Sequence, residues 1–304
     1  MNELKEKEAQ AIKVLRTFEP EEGYVLAYSG GKDSDCIKIL AQLAGVKFEA
    51  VHNLTTADAP ETMQYIKSQP DVRINWARDK DGKHVTMWNL IEAFGPPTRV
   101  HRFCCNKLKE SANQGRLLIT GVRKAESVNR KRDGGLVKIL GKPKTTERLA
   151  QEMGVAYSKP REDGLILNDD NDESRRMVEQ CYRTRKTLVN PILDWTDEDV
   201  WEFLHHYGCE GNPLYRCGHR RVGCIGCPMA GGKKMKEELE QYPKYAQMYF
   251  RATDRMLKRR TEQGKELPLA WGDGKPETVM KWWLRIEEAK HENNRNKLSH
   301  RNAD

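Results

Sequence analysis

Short apolar runs alternate with amphipathic stretches along the first 125 residues of the chain. The apolar runs have the length and composition of buried strands, and the stretches between them have helical spacing. The predicted strands lie at 24–29, 47–53, 72–77 and 116–122. The predicted helices lie at 2–18, 35–44 and 59–69. Because such alternation favours parallel pairing, it predicts an α/β fold with a parallel twisted sheet and helices on both faces.

The periodicity changes twice further along the chain. Between residues 129 and 188 it weakens into a polar, charged stretch, which we interpret as an insertion or a flexible loop. Helical spacing returns at 194–208, where Thr196 is the expected N-cap, and long helical stretches follow after residue 232. We therefore predict an α/β domain over 1–232 and a helical C-terminal region over 233–304.

Composition narrows the choice of partner and compartment. Fifty-three Lys and Arg against forty-five Asp and Glu give a net charge of +8, which favours polyanionic partners, although a solvated basic surface explains it equally well. No apolar run approaches the roughly 18 residues of a membrane span, and the N-terminus is charged, unlike a signal peptide. We expect a cytoplasmic protein without membrane association. In such a protein the eight cysteines favour metal ligands, catalytic thiols or buried hydrophobes over disulfides.

The sequence "YSGGKDSD" stands between the first predicted strand and the helix that follows it. Such a loop lies at the carboxyl edge of a parallel sheet, where open α/β folds bind ligands. The glycine pair 30–31 lets backbone amides approach an anion, and Lys32 adds a positive charge. Ser29 and Ser34 add hydroxyl donors. The loop therefore suits a phosphate, although a plain glycine turn with Asp33 as a helix cap is the alternative.

This loop resembles the PP-loop, S-G-G-x-D-S, of the ATP pyrophosphatase superfamily, whose members cleave ATP between the α and β phosphates. The resemblance implies that the nucleotide is bound by Ser29, Gly30, Gly31, Lys32, Asp33 and Ser34. It also implies that Lys32, Asp33 and Ser34 act in catalysis. Asp33 is then either a helix cap or a carboxylate associated with Mg²⁺.

Four of the cysteines form two compact sets, the adjacent Cys104 and Cys105 and the C-x-x-C pair Cys224 and Cys227. A C-x-x-C turn is typical of a metal site or a redox dithiol. Adjacent cysteines leave the backbone in different directions, so they suit a [4Fe–4S] cluster better than one tetrahedral zinc ion. Zinc and no metal remain alternatives, and Cys217 could replace one of the adjacent pair.

Loop and cysteines together resemble the iron–sulfur branch of the PAPS (phosphoadenosine phosphosulfate) reductase family, and the likeness covers about residues 22–230. "TGVRKAESVNR" is similar to the family's T-G-x-R-x-x-[EQ]-S-x-x-R, which implies that Arg123 and Arg130 face the nucleotide's anionic groups while Glu126 and Ser127 order the loop. "NPILDWTDEDVW" resembles a further family segment. The resemblance implies an adenine nucleotide alpha hydrolase-like fold, and a [4Fe–4S] cluster on Cys104, Cys105, Cys224 and Cys227.

Two departures from the reductases of this family bear on the reaction. Those enzymes act on an already activated sulfonucleotide, PAPS or adenosine phosphosulfate (APS), and have altered the loop, whereas this chain keeps S-G-G-K-D-S. They also carry a nucleophilic cysteine in a C-terminal tail, whereas no cysteine follows Cys227 here. The leading hypothesis is therefore an ATP-splitting enzyme that activates a substrate for sulfur transfer. Its partners would be an adenine nucleotide, tRNA or DNA as acceptor, and a sulfur or electron donor protein.

Two alternatives stay open. The first is a sulfonucleotide reductase that releases sulfite from PAPS or APS, with its thiol supplied by another protein or a remaining cysteine. The second is a non-catalytic nucleotide-binding module, against which the intact Lys32 and Asp33 argue.

Overall fold

The computed structural model describes residues 2–284, except residues 111, 112, 114, 142 and 162. Within these residues the strands are β1 (Tyr24–Ala27), β2 (Phe48–Leu54), β3 (Val72–Trp76), β4 (Leu117–Ile119), β5 (Val137–Leu140), β6 (Gly164–Leu167) and β7 (Thr187–Val189). The α-helices in the same described ranges are α1 (Asn2–Thr17), α2 (Lys32–Ala44), α3 (Pro60–Lys67), α4 (Met87–Phe94), α5 (Phe103–Cys105), α6 (Val128–Asp133), α7 (Pro143–Glu152), α8 (Asp172–Cys181), α9 (Asp197–His206), α10 (Gly232–Gln241), α11 (Pro243–Glu262) and α12 (Pro276–Leu284). No helix among them is both long enough and apolar enough to cross a membrane.

The chain forms two compact units that are interleaved along the sequence. The first, which we call the sheet unit, comprises the described residues of Met1–Asn53, Pro60–Asn75 and Ala112–Val222. The second, which we call the cysteine unit, comprises the described residues of Leu54–Ala59, Trp76–Ser111 and Gly223–Asp304. The division of the chain into domains at residue 232 stays a prediction.

Seven strands form one sheet in the order β3-β2-β1-β4-β7-β5-β6. The central pairs β1–β2, β1–β4 and β4–β7 are parallel, as the alternation of strands and helices predicts. β5 pairs antiparallel with both β7 and β6, so the sheet is mixed at this edge. The predicted α/β fold is confirmed, with a mostly parallel sheet.

The segment 129–188 contains regular secondary structure, so its interpretation as a flexible loop is wrong, whereas its interpretation as an insertion stays a prediction. It supplies β5, β6 and β7 to the sheet, together with α7 and α8 and most of α6. The helix α8 begins inside the polar stretch, where the Asn171 side chain accepts a hydrogen bond from the Ser174 amide at 2.9 Å. Its apolar side chains Met177, Val178 and Cys181 are buried.

The core of the sheet unit fixes the strand that leads into the glycine loop. Tyr24, Val25 and Leu26 of β1 are buried, and the Tyr24 hydroxyl donates to the Leu15 carbonyl of α1 at 2.8 Å. Apolar side chains of α2, among them Ile37 and Leu40, belong to the same core. Burial of this strand and helix therefore sets the position of the loop between them.

The cysteine unit is built largely on aromatic packing. Trp88 of α4 meets Tyr249 of α11 edge to face, with ring centroids 5.2 Å apart. Trp283 of α12 is fully buried and packs on Tyr249 at 4.7 Å between centroids. The helices predicted after residue 232 are present as α10, α11 and α12. The predicted continuation of the last helix beyond Leu284, and the C-terminal sequence "NNRNKLSHRNAD", lie outside the described residues.

Candidate functional site

The glycine loop connects β1 to α2 in the sheet unit, as the sequence predicts. Gly30 has φ +73°, and a Cβ atom there would lie 3.0 Å from Cγ1 of Ile66. A Cβ at Gly31 would lie 3.2 Å from the Tyr215 hydroxyl. Gly30 therefore requires a residue without a side chain, for its backbone conformation and its space, whereas a side chain at Gly31 would require the Tyr215 hydroxyl to shift by a few tenths of an ångström.

Ser34 closes the first turn of α2 onto the loop. Its hydroxyl accepts from the Gly31 amide at 3.1 Å and donates to the Gly31 carbonyl at 2.7 Å. The Ser29 hydroxyl lies 3.3 Å from the hydroxyl oxygen of Ser34. Since Gly31 occupies the N-cap position, the interpretation of Asp33 as the helix cap is wrong.

Two cations and two carboxylates form a network at the start of α2. The Lys32 ammonium lies 3.3 Å from Oδ2 of Asp33 and 3.1 Å from Oδ1 of Asp197. Arg123 donates to Oδ1 of Asp33 at 2.7 Å and to Oδ1 of Asp197 at 2.5 Å. Arg123 is only 1% exposed and also donates to the Trp195 carbonyl at 3.2 Å. Its guanidinium is thus occupied by protein groups, and it orients both carboxylates beside Lys32.

Asp197 is a site residue that sequence reasoning missed. It is the first residue of α9, immediately after the N-cap Thr196. Partial burial raises the pKa of its carboxyl, but hydrogen bonds from Arg123 and Lys32 outweigh that effect and hold the pKa below the usual 3.8. The sequence indicates that Asp197 begins a helix, but it does not indicate its partners. These are Arg123 and Lys32, which lie 74 and 165 residues away in the chain.

The segment "GNPLY" (211–215) contacts the loop from the other side. The Lys32 amide donates to the Tyr215 hydroxyl at 2.9 Å. The Asn212 amide group donates to the Gly30 carbonyl at 2.9 Å and to the Thr62 hydroxyl at 3.2 Å. Asn212 thereby fixes the loop backbone, and the Tyr215 hydroxyl occupies the backbone amide of Lys32.

Asp35, next to Ser34, is a buried carboxyl beneath the loop. Tyr28 donates to its Oδ1 at 2.5 Å and Tyr65 donates to its Oδ2 at 3.1 Å. Burial raises the pKa of Asp35 to about 6, because loss of hydration outweighs the two tyrosine hydrogen bonds and the charge of Lys38. Sequence analysis did not single out this residue.

The second basic position of the predicted nucleotide site belongs to the same unit. Arg130 lies on α6 and forms an ion pair with Glu126, while the Ser127 hydroxyl accepts from the Arg130 amide at 3.2 Å and caps that helix. Burial, and then the charge of Arg221, lowers the pKa of Arg130. Ser127 and Glu126 therefore order the segment around Arg130. The assignment of these side chains to a nucleotide stays a prediction.

All four predicted cysteine ligands belong to the cysteine unit. Cys104 and Cys105 end α5, and a π-helix over Asn106–Glu110 follows them directly. π-Helices of this length are rare and often mark functional sites. Cys224 forms a β-bridge with Asp58 and donates to the Thr55 hydroxyl at 3.3 Å.

The turn between Cys224 and Cys227 is fixed on several sides. The Ile225 amide donates to the Ala57 carbonyl at 2.8 Å, and the Ile225 carbonyl accepts from the Tyr249 hydroxyl at 2.8 Å. Gly226 has φ +68°, and its amide donates to the Glu238 carboxylate at 2.9 Å. A side chain at Gly226 would meet the Tyr249 ring at 3.1 Å.

The thiols interact with one another and with a lysine. A hydrogen bond from Cys104 lowers the pKa of Cys105, and the charge of Lys109 acts in the same direction. The charge of Cys224 raises the pKa of Lys109, with smaller contributions from Asp58 and Cys105. Burial raises the pKa of Cys224 to about 11. A lysine beside a group of thiols partly offsets the negative charge that thiolate ligands would carry.

The donor set agrees with a four-thiolate cluster in kind and number. Four thiols from two segments lie in one unit and influence each other's charge, which is the set that a [4Fe–4S] cluster requires. Across the part of the chain that the structure describes, no three His, Cys, Asp or Glu side chains are gathered as they would be around one metal ion. The cluster remains a proposal.

The other cysteines differ from these four. Cys36 and Cys181 are buried in the core of the sheet unit, and Cys209 packs against it. Cys217, the alternative ligand, is exposed and also belongs to the sheet unit. The structure therefore groups Cys104 and Cys105 with Cys224 and Cys227 and places Cys217 in the other unit.

Comparison with known proteins gives a family match over most of the chain. The sequence profile described as the phosphoadenosine phosphosulfate reductase domain matches residues 23–230. An uncharacterized protein of Methanocaldococcus jannaschii is 25% identical over 255 residues, which is 80% of this chain and 51% of that protein. Adenosine 5'-phosphosulfate reductase of Allochromatium vinosum is 38% identical over 42 residues, 14% of this chain and 16% of the reductase.

Solved structures with a similar arrangement share little sequence. The phosphoadenylyl-sulfate reductase of Candida auris, in a phosphate complex, has 13% identity and a TM-score of 0.41, covering 71% of this chain and 88% of that one. The FMN adenylyltransferase of Candida glabrata has 13% identity and a TM-score of 0.43, covering 74% and 62%. The chain spans 51% and 39% of the lengths of two similar proteins of Methanocaldococcus jannaschii.

Proposed function

This chain belongs to the phosphoadenosine phosphosulfate reductase domain family, and we propose that it splits ATP to activate an acceptor for sulfur transfer. An oxygen of the acceptor attacks the α-phosphorus and becomes bonded to AMP. The bond from that phosphorus to the bridging oxygen breaks, and pyrophosphate leaves. A sulfur donor of the hydrosulfide class then attacks the acceptor atom that carries the activated oxygen. A carbon–sulfur or phosphorus–sulfur bond forms there, the bond from that atom to oxygen breaks, and AMP leaves with the oxygen.

The position of Lys32 is the observation that carries this proposal. Lys32 is 5% exposed, and it lies at the N-terminus of α2 beside a glycine loop that is intact. A positive charge at a helix N-terminus stabilises the charge that develops on departing pyrophosphate. A sulfonucleotide releases no pyrophosphate, so these features favour ATP as the substrate.

Asp33 and Asp197 would be the protein ligands of Mg²⁺. Both carboxylates contact Lys32 and are oriented by Arg123. When a nucleotide phosphate binds Lys32 in place of these two carboxylates, the carboxylates become available to bind a cation. Mg²⁺ in nucleotide sites is usually bound by one or two carboxylates together with substrate phosphates, so this pair fits Mg²⁺ without further protein ligands. Arg123 acts as a positioning residue.

The cysteine unit would serve the sulfur step. Cys104, Cys105, Cys224 and Cys227 would hold a [4Fe–4S] cluster, which when bound supplies a centre that can carry sulfur or electrons. The net charge of +8 favours tRNA or DNA as the acceptor. A sulfur or electron donor protein completes the proposed set of partners, all of them in the cytoplasm.

The second candidate function is reduction of PAPS or APS to sulfite. Names of relatives favour it, since the short matches include adenosine 5'-phosphosulfate reductase and phosphoadenosine 5'-phosphosulfate reductase. The reaction requires a thiol that attacks the sulfonucleotide and is itself oxidised, and a second thiol that regenerates it. In this chain those thiols would come from the remaining cysteines or from another protein.

The two candidates differ in what they release. The protein, purified without oxygen, is given ATP and Mg²⁺ in one sample and PAPS or APS with a dithiol reductant in another. The proposal expects AMP and pyrophosphate from the first sample and no sulfite from the second. Lys32→Ala should lower the rate of pyrophosphate release by about 100- to 1,000-fold, because one main stabiliser of the leaving group is lost.

Lys38→Ala is the matched control, since Lys38 is a similarly buried lysine of the same helix that contacts Gln69 and Asp71 instead of the loop. It should retain activity. Sulfite from the second sample without pyrophosphate from the first would contradict the proposal in favour of the reductase. Tight ATP binding without turnover, unchanged by adding single-stranded RNA or DNA, would favour a nucleotide-binding module.

A further inference from the structure

We infer that an aromatic cleft in the cysteine unit binds a base of single-stranded nucleic acid. The cleft has a volume of about 580 Å³ and lies between the end of α4, the segment 96–106, and the C-terminal part of the unit. This inference deepens the proposed function and rests on it, because the nucleic acid would be the sulfur acceptor.

The walls of the cleft are aromatic on two sides. Phe94 and Phe103 form one side, with ring centroids 5.2 Å apart. Trp271 and Trp282 form the other, with centroids 6.1 Å apart and ring planes at 63° to each other. The volume is in the range of pockets that hold small organic molecules, about 300–1,000 Å³. A volume of this size is sufficient for a nucleobase.

Phe94 presents an unusually open ring. It is 55% exposed at the end of α4, although a phenylalanine normally gains by burial. Exposed aromatic rings are the common device by which proteins hold unpaired bases, because every base offers a flat π face for stacking. Phe94 is thus the side chain of the cleft best placed for a base that arrives from solvent.

The rim of the cleft is positively charged. The segment 96–106 contains two Arg residues and one His, and it contains no Asp or Glu. His101 and Arg102 line the cleft, and both are exposed. Among the residues that the structure describes, no acidic side chain lines the cleft. Positive charge around an aromatic surface is complementary to a phosphate backbone and not to a neutral apolar peptide.

The cleft is built into the fold. The Trp283 indole donates to the Pro97 carbonyl at 2.6 Å, which fixes the segment that leads to the rim. The Thr98 hydroxyl accepts from the His101 amide at 3.0 Å and closes a turn there. Gly95 has φ +87°, and a Cβ at this position would lie 3.2 Å from the Trp271 ring. The aromatic walls are therefore held at a defined separation.

The cleft adjoins the cysteine pair. Phe103, in its wall, immediately precedes Cys104, and Asn106, also in its lining, immediately follows Cys105. The Asn106 amide can donate and accept hydrogen bonds with the edge of a base. A base held in the cleft would lie along the segment that carries the two thiols, which is where a sulfur acceptor is required.

Base recognition can be separated from phosphate recognition by using two oligomers of equal charge. Fluorescence anisotropy measures the affinity of the full chain, without ATP, for oligothymidine of about 12 nucleotides and for an abasic oligomer of equal length. We expect oligothymidine to bind about 10-fold more tightly, as stacking of one base on an aromatic side chain implies. Phe94→Ala should remove this preference and leave abasic binding unchanged, whereas Phe94→Trp should preserve it.

Two further variants define the controls. Trp76→Ala removes another exposed aromatic ring of the same unit, 44% exposed and outside the cleft lining, and should not change either affinity. Arg102→Ala should weaken the binding of both oligomers equally. It should also reduce the slope of log affinity against log salt concentration by about one. Equal affinity of the unaltered protein for both oligomers, or equal effects of Phe94→Ala and Trp76→Ala, would overturn the inference.

Other occupants of the cleft give different results. Displacement of oligothymidine by thymidine monophosphate at an equal concentration of bases would assign the cleft to a free nucleotide and overturn the inference. Binding of the apolar dye anilinonaphthalene sulfonate that Phe94→Ala abolishes, without any change in oligothymidine binding, would assign it to an apolar protein segment. Pyrophosphate release is measured in parallel on the same protein preparations after ATP and Mg²⁺ are added, so failure of the cleft and failure of the proposed ATP reaction are distinguished.

Discussion

Asp35 is a single buried carboxyl beside the glycine loop whose protonation depends on pH. Its side chain accepts hydrogen bonds from Tyr28, which directly precedes the loop, and from Tyr65. Other groups that act on its charge are Lys38, which favours the ionised form, and Asp33, which opposes it. With a pKa of about 6 in the folded protein against 3.8 for the ordinary carboxyl, the neutral form is favoured by folding.

The raised pKa of Asp35 predicts a loss of stability as pH rises. Its contribution to the free energy of unfolding is fully present below about pH 4 and is lost as pH increases through about 6, by up to about 3 kcal/mol. Asp35→Asn removes the titration, so its stability relative to the unaltered protein should improve between pH 4 and 7. Urea unfolding at several pH values measures this. Asp81→Asn, an exposed control, should follow the unaltered profile, and a parallel profile for Asp35→Asn would contradict the prediction.

For single residues, the sequence predicts the chemical type of a site residue better than it predicts which side chains that residue contacts. The glycine pair and Lys32 could be assigned from their place after a strand, because that signal is local. Asp197 and Asp35 could not, since one follows an ordinary helix cap and the other lies in an ordinary helical turn. Their chemistry depends on which side chains the folded chain brings to them.

The loop between β1 and α2 is an element whose function depends on a backbone shape. Gly30 and Gly45, at the two ends of α2, have similar positive φ angles of 73° and 68°. They differ in space, because a Cβ at Gly30 would meet α3 at 3.0 Å whereas a Cβ at Gly45 meets no atom within 4 Å. The pair therefore separates backbone strain from close packing.

Alanine at each of these glycines should have different consequences. Gly45→Ala should cost about 1 kcal/mol of unfolding free energy, because only the left-handed conformation is penalised. Gly30→Ala should cost more, about 2–3 kcal/mol, and should also weaken ATP binding, since Ile66 and the loop must move apart. Denaturant unfolding and nucleotide titration measure the two effects. Equal losses of stability with unchanged ATP binding in both variants would show that the space around Gly30 is unimportant.

The elements also show why a polar segment was misjudged. The strands β5 and β6 have only four residues each, and the segment between residues 129 and 188 is rich in charge, so the periodic signal is weak. For α8, Asn171 followed by acidic residues and by Met177, Val178 and Cys181 was an available helix signal. The pairing of β5 with β7 has no local signal in the sequence, because it depends on the sheet already formed.

For the whole molecule, the nucleotide loop and the four cysteines belong to different compact units. Cys224→Ser should reduce bound iron from about four ions per chain towards zero, together with the visible absorbance of the cluster, because one of four thiolates is lost. Binding of ATP should be unchanged. Iron analysis and nucleotide titration on protein prepared without oxygen measure both.

Cys217→Ser is the control for this prediction, because Cys217 is an exposed cysteine of the sheet unit. It should retain iron and absorbance. If Cys105→Ser retains iron and Cys217→Ser loses it, Cys217 is the ligand in place of Cys105. Zinc in place of iron in the unaltered protein would contradict the cluster itself.

The interleaving of the units imposes an order of events on the ribosome. The helix α4 is synthesised on the order of 150 residues before α11, against which Trp88 packs on Tyr249. At about 5–20 residues per second, α4 and the neighbouring cysteine pair wait on the order of ten seconds for their partners. Until then Trp88 lacks this packing partner and Cys104 and Cys105 lack Cys224 and Cys227. We therefore expect chaperone protection of the nascent chain, and assembly of any four-thiolate centre only after translation has passed residue 227.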